Sequence, residues 1–150
     1  RRLASMPDGL GLVVIDYLQL VTSGSNRIES RQVEVSEISR SLKTMALELD
    51  VPVIALAQLS RSVDKRENKE PALVDLRESG SLEQDADLVL FLNRKDYYEA
   101  KTEKKETIVP IDVIIAKHRK GSTGLYRLLF ELNMSNFKNY LSPDNVNEII

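Results

Sequence analysis

The stretch Leu10-Gly11-Leu12-Val13-Val14-Ile15-Asp16-Tyr17 decides how the chain is read. Its apolar residues run without alternation, are rich in β-branched side chains and end in a carboxylate. That is the pattern of a strand covered on both faces of a parallel sheet. In an α/β sheet the carboxyl ends of the strands form the ligand edge. An acid at that edge suits a hydrated magnesium ion beside a nucleotide phosphate. It suits equally the opening of the next turn, and on the strand alone Asp16 carries both readings.

Downstream, Thr22-Ser23-Gly24-Ser25-Asn26 is a polar loop that Arg27 to Arg31 continue with charge. The period then changes. Val35, Ile38, Leu42, Met45, Ala46 and Leu49 fall on one helical face, and Glu34, Glu37, Arg40, Lys43 and Glu48 on the other, which predicts an amphipathic helix over 31–49 closed by Pro52. Val53-Ile54-Ala55-Leu56-Ala57 is a second short strand. Strand, helix and strand make a crossover unit of a parallel sheet, so Gln58 is expected at the same edge as Asp16. Upstream, Arg1 to Pro7 reads as the tail of a helix stopped by proline, with Asp8-Gly9 as the turn. A chain opening in this way is expected to have further sequence before it.

Residues 60–74 are charged and almost without an apolar anchor before Pro71-Ala72-Leu73, the composition of a solvated loop. Ser81 followed by Gln84 matches a capping box, so a short helix is expected there. Leu88 to Leu92 is a third strand and Ile111 to Ala116 a fourth, with the charged and aromatic residues 95–107 as an exposed excursion between them. The basic cluster Lys117-His118-Arg119-Lys120 precedes Gly121-Ser122-Thr123-Gly124, which turns the chain into a β-hairpin with Leu125 to Leu132. Asn136 to Tyr140 can add an edge strand, and 141–150 is a tail without an assigned structure.

Composition narrows the function. An apolar fraction of 42% fits a globular protein of about one domain. A charged fraction of 29% with net charge -2 excludes a broadly basic nucleic-acid binder, so any contact with DNA must be local. Without cysteine there are no disulfides and no thiolate zinc sites. No apolar run approaches the roughly 20 residues that cross a bilayer.

Four segments then carry a resemblance. Leu12 to Leu20, the strand ending in Gln58-Leu59-Ser60-Arg61, the run Asp75-Leu76-Arg77-Glu78-Ser79-Gly80-Ser81-Leu82-Glu83-Gln84-Asp85-Ala86-Asp87, and Lys117-His118-Arg119-Lys120-Gly121 occur in the order of DnaB-type replicative helicases. The resemblance covers residues 8–140, and the long central run is its most specific part. It implies part of a RecA-like P-loop NTPase core, an α/β fold with a mainly parallel sheet, flanking helices and a C-terminal β-hairpin. Residues 1–140 would belong to the helicase motor domain and 141–150 to its tail. It also implies a homohexamer that hydrolyses ATP with Mg2+ at subunit interfaces and moves along single-stranded DNA, with primase and a helicase loader as partners, at the replication fork in the cytoplasm. Organelle and phage members of the family exist, and the residues do not choose between these origins.

Carried over by position, Asp16 resembles the Walker B acid that holds magnesium through water. Gln58 resembles the switch that senses the terminal phosphate, since an amide can both donate to a phosphate oxygen and accept from a water or a loop. Arg119 resembles the arginine finger delivered to the neighbouring subunit's nucleotide, with Lys117 beside it. Period-two alternation would point both cations one way and His118 the other. Arg77, Glu78 and Gly80 resemble the loop that follows the DNA backbone, where amide groups and one or two cations suffice. Glu78 would repel a phosphate, so it is expected to orient Arg77 or a neighbouring loop. Glu83, Asp85 and Asp87 are expected to hold the short helix and its strand in register.

The departure from the family is an absence. No Gly-x-x-x-x-Gly-Lys-Ser/Thr loop occurs in this sequence, and the one glycine-rich segment lies in a hairpin. The family's catalytic glutamate and inter-subunit linker helix are missing as well. The chain therefore looks like the carboxyl-terminal half of a motor domain, expected to be inactive alone. The other reading is an interaction module that donates Arg119 to a partner or binds DNA without hydrolysing ATP.

Overall fold

The computed structural model describes residues 9–24, 30–60, 62–79, 81–95 and 107–140. The chain divides into two compact units, Arg1–Arg66 with Ala72–Ala86, and Glu67–Pro71 with Asp87–Ile150. The expected amino-terminal helix tail, the centre of the charged excursion and the tail 141–150 lie outside the described residues.

In the first unit, β1 (Val13–Ile15) and β2 (Val53–Ala55) pair in parallel, Val13 opposite Val53 and Ile15 opposite Ala55. Parallel partners need a crossover, and α1 (Arg31–Leu49) supplies it with the bounds the apolar period predicts. The hydroxyl of Ser30 caps its start by accepting from the Val33 amide at 3.4 Å. At its end Asp50 takes a left-handed conformation, φ 51°, just before Pro52. Val35 and Ile38 of α1 are buried, as are Leu18, Val51, Val63 and Leu76, and α1 packs against α2 (Leu82–Asp85) and β2.

Several expectations need correction in this unit. Within this segment α1 lies against β2, while Val14 and Ile54 are 57% and 52% exposed. Glu34, placed on the polar face by periodicity, is buried because its carboxylate accepts from the Ser23 amide at 3.0 Å and pairs with Arg31. The stretch after β2 is anchored after all, with Val63 and Pro71 buried and a 3-10 turn at Val63–Lys65. Ser81 precedes α2 as expected but makes no side-chain cap; its hydroxyl donates to the Ser36 carbonyl at 3.3 Å and ties α2 to α1. Asp85 makes a second tie, accepting from the Ser39 hydroxyl at 2.6 Å.

The second unit is a sheet of β3 (Leu88–Asn93), β4 (Ile108–His118), β5 (Gly124–Glu131) and β6 (Asn136–Asn139), in that order and antiparallel throughout. The expected hairpin at 121–124 and edge strand are both present. The expectation of a mainly parallel sheet is not met among the described residues, where one pair is parallel and three are antiparallel. Val89, Phe91 and Asn93 are buried while Leu88, Leu90 and Leu92 are exposed, so the strand alternates in burial although its residue types hardly do.

β4 begins three residues earlier than its apolar run suggested, and Pro110 lies within it. Residues 108–111 pair with β5 alone, so the missing proline N–H breaks no ladder on the other side. The β3/β4 register slips between Val89 and Leu90, whose partners are Lys117 and Ile115. Ala116 is thus the extra residue of a β-bulge, a feature that bends its strand and increases its twist. Phe130 and Phe137 face each other across β5 and β6 with ring centroids 4.6 Å apart.

Candidate functional site

Parallel pairing makes β1 and β2 end at one edge, and the chain leaves that edge as Asp16 and as Leu56 to Gln58. Asp16 directly follows β1 and is exposed. The ladder continues beyond the strands, the Leu56 amide donating to the Ile15 carbonyl at 2.9 Å and the Leu18 amide to the Leu56 carbonyl at 2.8 Å. Leu18 is 1% exposed and pins this crossing. Gln58 is exposed, and its main chain is held on both sides by one residue. The Gln58 amide donates to Gln19 Oε1 at 3.2 Å, and Gln19 Nε2 donates to the Gln58 carbonyl at 3.1 Å. Neither bond uses the side-chain amide of Gln58.

Gln19 itself is fastened to α1. Arg31 Nη2 donates to the carbonyls of Gln19 at 2.9 Å and Val21 at 3.2 Å, while Arg31 also pairs with Glu34. The Ser23 amide and the Arg31 guanidinium hold the Glu34 carboxyl below its usual range against the opposing effect of burial.

No group of three or more potential metal ligands gathers among the described residues. Asp16 is an exposed carboxylate directly after β1. Magnesium keeps most of its waters and takes other ligands from phosphate, so one acid is a donor set that fits it.

Arg77 and Glu78 lie in the 3-10 segment Leu73–Ser79, and Gly80 lies outside the described residues. The segment is anchored by Asp75, which is 3% exposed. Its carboxylate accepts from Arg66 Nη2 at 2.5 Å and from the Ala72 amide at 2.8 Å, and its carbonyl accepts from the Ser60 amide at 3.2 Å. Ser60 is two residues past Gln58, so a short run of bonded backbone joins the β2 edge to the segment carrying Arg77.

Lys117 and Arg119 belong to the second unit. β4 ends at His118, so strand alternation governs Lys117 and His118 but not Arg119, which lies in the turn. The expectation that alternation alone aligns the two cations is corrected accordingly. Arg119 is placed by Asp87 instead, through an amide-to-carbonyl bond of 2.7 Å and an ion pair of 3.2 Å. The His118 ring lies over Gly121, in the space where a Cβ on that residue would sit.

Gln19, Glu34, Asp75 and Asp112 carry roles in the structure that their sequence context does not assign. Asp112 is 3% exposed within β4 and faces Arg127 of β5, whose Nε donates to it at 2.8 Å; Lys95 lies 3.3 Å away on its other oxygen. Arg127, then Lys95, hold its carboxyl below the usual carboxylate range, although burial opposes them. The same contact raises the Arg127 guanidinium, which also lies 5.7 Å from the Tyr140 ring. An acid set between isoleucine and valine in a strand is a legible signal of such a pair. Gln19 offered only an amide between two leucines.

A family model described as the DnaB-like helicase C terminal domain matches residues 1–139. The chain belongs to that family. The chain is 56% identical over 131 residues to the replicative DNA helicase DnaB of Geobacillus stearothermophilus, covering 87% of this chain and 28% of that protein. It is 53% identical over 131 residues to the replicative DNA helicase DnaC of Bacillus subtilis (strain 168), again 28% of the relative. Among solved structures it resembles a DnaB-like replicative helicase described with its interactions with primase, at TM-score 0.79 and 52% identity, covering 91% of this chain and 32% of that one. A solved ATPase domain matches with the same score and identity and is covered to 46%. The segment thus spans less than a third of the curated relatives it matches.

Proposed function

We propose that this segment works within a hexameric replicative DNA helicase, where ATP hydrolysis at subunit interfaces drives translocation on single-stranded DNA and duplex unwinding. The observation that supports the reading is the parallel pairing of β1 and β2, which ends both strands at one edge, with Asp16 following the first and Gln58 the second, in a chain of the DnaB-like family. Residues 1–140 form part of a RecA-like motor domain. Asp16 would hold a magnesium ion through water, and that ion would supply charge neutralisation on the nucleotide phosphates. Gln58 senses the terminal phosphate with its side-chain amide. Arg119 and Lys117 stabilise negative charge on the nucleotide of the neighbouring subunit.

Arg77 and the amides near Gly80 follow the DNA backbone, and Glu78 orients that loop. Such a local site needs no basic surface, in keeping with a net charge of -2. Primase as a partner is supported by the solved relative described with it; the helicase loader rests on family resemblance. The replication fork is the site of action, and no helix among the described residues is long and apolar enough to cross a membrane.

The competing reading, an interaction module acting without hydrolysis, is separated by one experiment. ATP hydrolysis is measured for residues 1–150 and for the same chain extended upstream through a Walker A loop, each with and without single-stranded DNA. Activity confined to the extended protein supports the helicase reading. An extended protein that lacks hydrolysis, or that ignores DNA, overturns it.

A further inference from the structure

Gln19 stands outside the groups that the proposed mechanism uses, yet it makes the bonds that fix one of them. It lies in the 3-10 turn Leu18–Leu20 that follows β1. Its side-chain amide satisfies the N–H and the C=O of Gln58 at once, at 3.2 and 3.1 Å. A primary amide used in this way imitates the backbone of a neighbouring strand. It extends the β1/β2 ladder to the residue where the chain leaves the sheet, and it holds that residue without engaging the Gln58 side chain.

The other end of the contact is equally constrained. The Gln19 carbonyl accepts from Arg31 in the first turn of α1, and Arg31 is paired with Glu34, which in turn accepts from the Ser23 amide. Residues 19–23 are thereby strapped to α1. A residue that only packed in this turn would need none of these bonds, whereas placing an amide against a phosphate tolerates little displacement.

From this we infer that Gln19 is a positioning residue for nucleotide hydrolysis, acting through the main chain of Gln58. It fixes where the Gln58 backbone sits and so where the sensing amide can reach. The inference rests on the reading of Gln58 as the phosphate-responsive residue, and its test separates the two.

In the full-length helicase carrying this segment, Gln19→Leu removes both bonds, and Gln19→Glu keeps the acceptor and the side-chain length while losing the donor. Steady-state ATP hydrolysis is measured with and without single-stranded DNA for both variants, for Gln58→Ala and for Gln19→Leu combined with Gln58→Ala. The expected result for Gln19→Leu is a roughly tenfold loss of DNA-stimulated kcat, the scale of two lost hydrogen bonds, with KM for ATP within about twofold of the parent. Gln19→Glu loses less. The double variant matches Gln58→Ala, because Gln19 has nothing left to position.

Unchanged DNA stimulation in Gln19→Leu, or a further multiplicative loss in the double variant, overturns the inference while the role of Gln58 stands. Intact DNA stimulation in Gln58→Ala overturns the role of Gln58 and this inference with it. Should Gln19→Leu fail to assemble, Gln19→Glu decides by the same comparison, since a loss that persists in its combination with Gln58→Ala overturns the inference.

Discussion

The Nε of Arg119 lies 3.2 Å from Oδ1 of Asp87, and the Arg119 amide donates to the Asp87 carbonyl at 2.7 Å. Both side chains are about half exposed. An exposed pair of this kind contributes about 0–1 kcal/mol, so this contact is a weak restraint on the guanidinium that the proposed function directs at a phosphate. The backbone bond does not depend on the side chain and fixes the turn independently of it.

This division of labour predicts separate effects for the two residues. In the full-length helicase, Arg119→Ala should abolish hydrolysis while nucleotide binding is retained. Mixing it with a Walker A variant should restore activity at mixed interfaces; no rescue in mixed rings argues against action on a neighbour. Asp87→Asn should keep hydrolysis within a few-fold and shift stability by less than about 1 kcal/mol, checked by thermal melting beside the turnover assay.

Arg77→Ala should weaken binding to single-stranded DNA and reduce DNA-stimulated hydrolysis, with basal hydrolysis kept. One phosphate contact contributes about 0.7 unit to the salt dependence of binding to a single strand, so the slope of log affinity against log salt should fall by about that amount. Equal loss of basal and stimulated hydrolysis would mark the Leu73–Ser79 segment as structural.

Asp75 anchors that same segment, and its removal should loosen it locally. Asp75→Ala leaves the Ala72 amide and Arg66 without this acceptor, a cost of about 1.5–3 kcal/mol for bonds to a charged group. Asp75→Asn keeps an oxygen for the Ala72 amide and should cost less. Hydrogen exchange of the Ala72 and Ser60 amides in the full-length protein reports the effect; unchanged protection in Asp75→Ala would refute the anchoring role.

Asp112 gives the pH prediction. Its folded carboxyl is held below the ordinary value by Arg127 and Lys95, so the stability it contributes is present above the unfolded value of about 3.9. That contribution is lost as pH falls through the lower folded value. Asp112→Asn should therefore be less stable than the parent at neutral pH, and the difference should close in acid below about pH 4. Thermal melts across that range check it, and a difference independent of pH would mean that packing, and not charge, is what the substitution removes.

The legible parts of the chain were those in which one physical signal determined one structure. α1 has a full apolar period, a Ser30 cap and a proline stop, and its bounds are as expected. The Gly121–Gly124 turn and the flanking apolar residues likewise led to the β4/β5 hairpin. Strand direction has no comparable signal, and the residues of β3 do not announce that its described partner is antiparallel. Side chains that act on distant backbone were the hardest to read. Gln19 meets Gln58 across 39 positions, and Glu34 leaves the polar face of its helix for an amide in the preceding loop. At the candidate site, parallel pairing makes the common edge of Asp16 and Gln58 readable, whereas the bonds that fix Gln58 on that edge are not.

The bulge at Ala116 separates two properties of the basic end of β4 that are usually tied together. Lys117 opposes Val89 and His118 opposes Leu88 with the extra residue in place, and a ladder lacking Ala116 would restore the same two partnerships. What Ala116 adds is curvature. The identity of the neighbours is thus written in register, and the aim of Lys117 and of the turn behind it is written in a bend one residue deep. Shortening the strand at that point would leave every pairing unchanged and still turn the cations toward a different place.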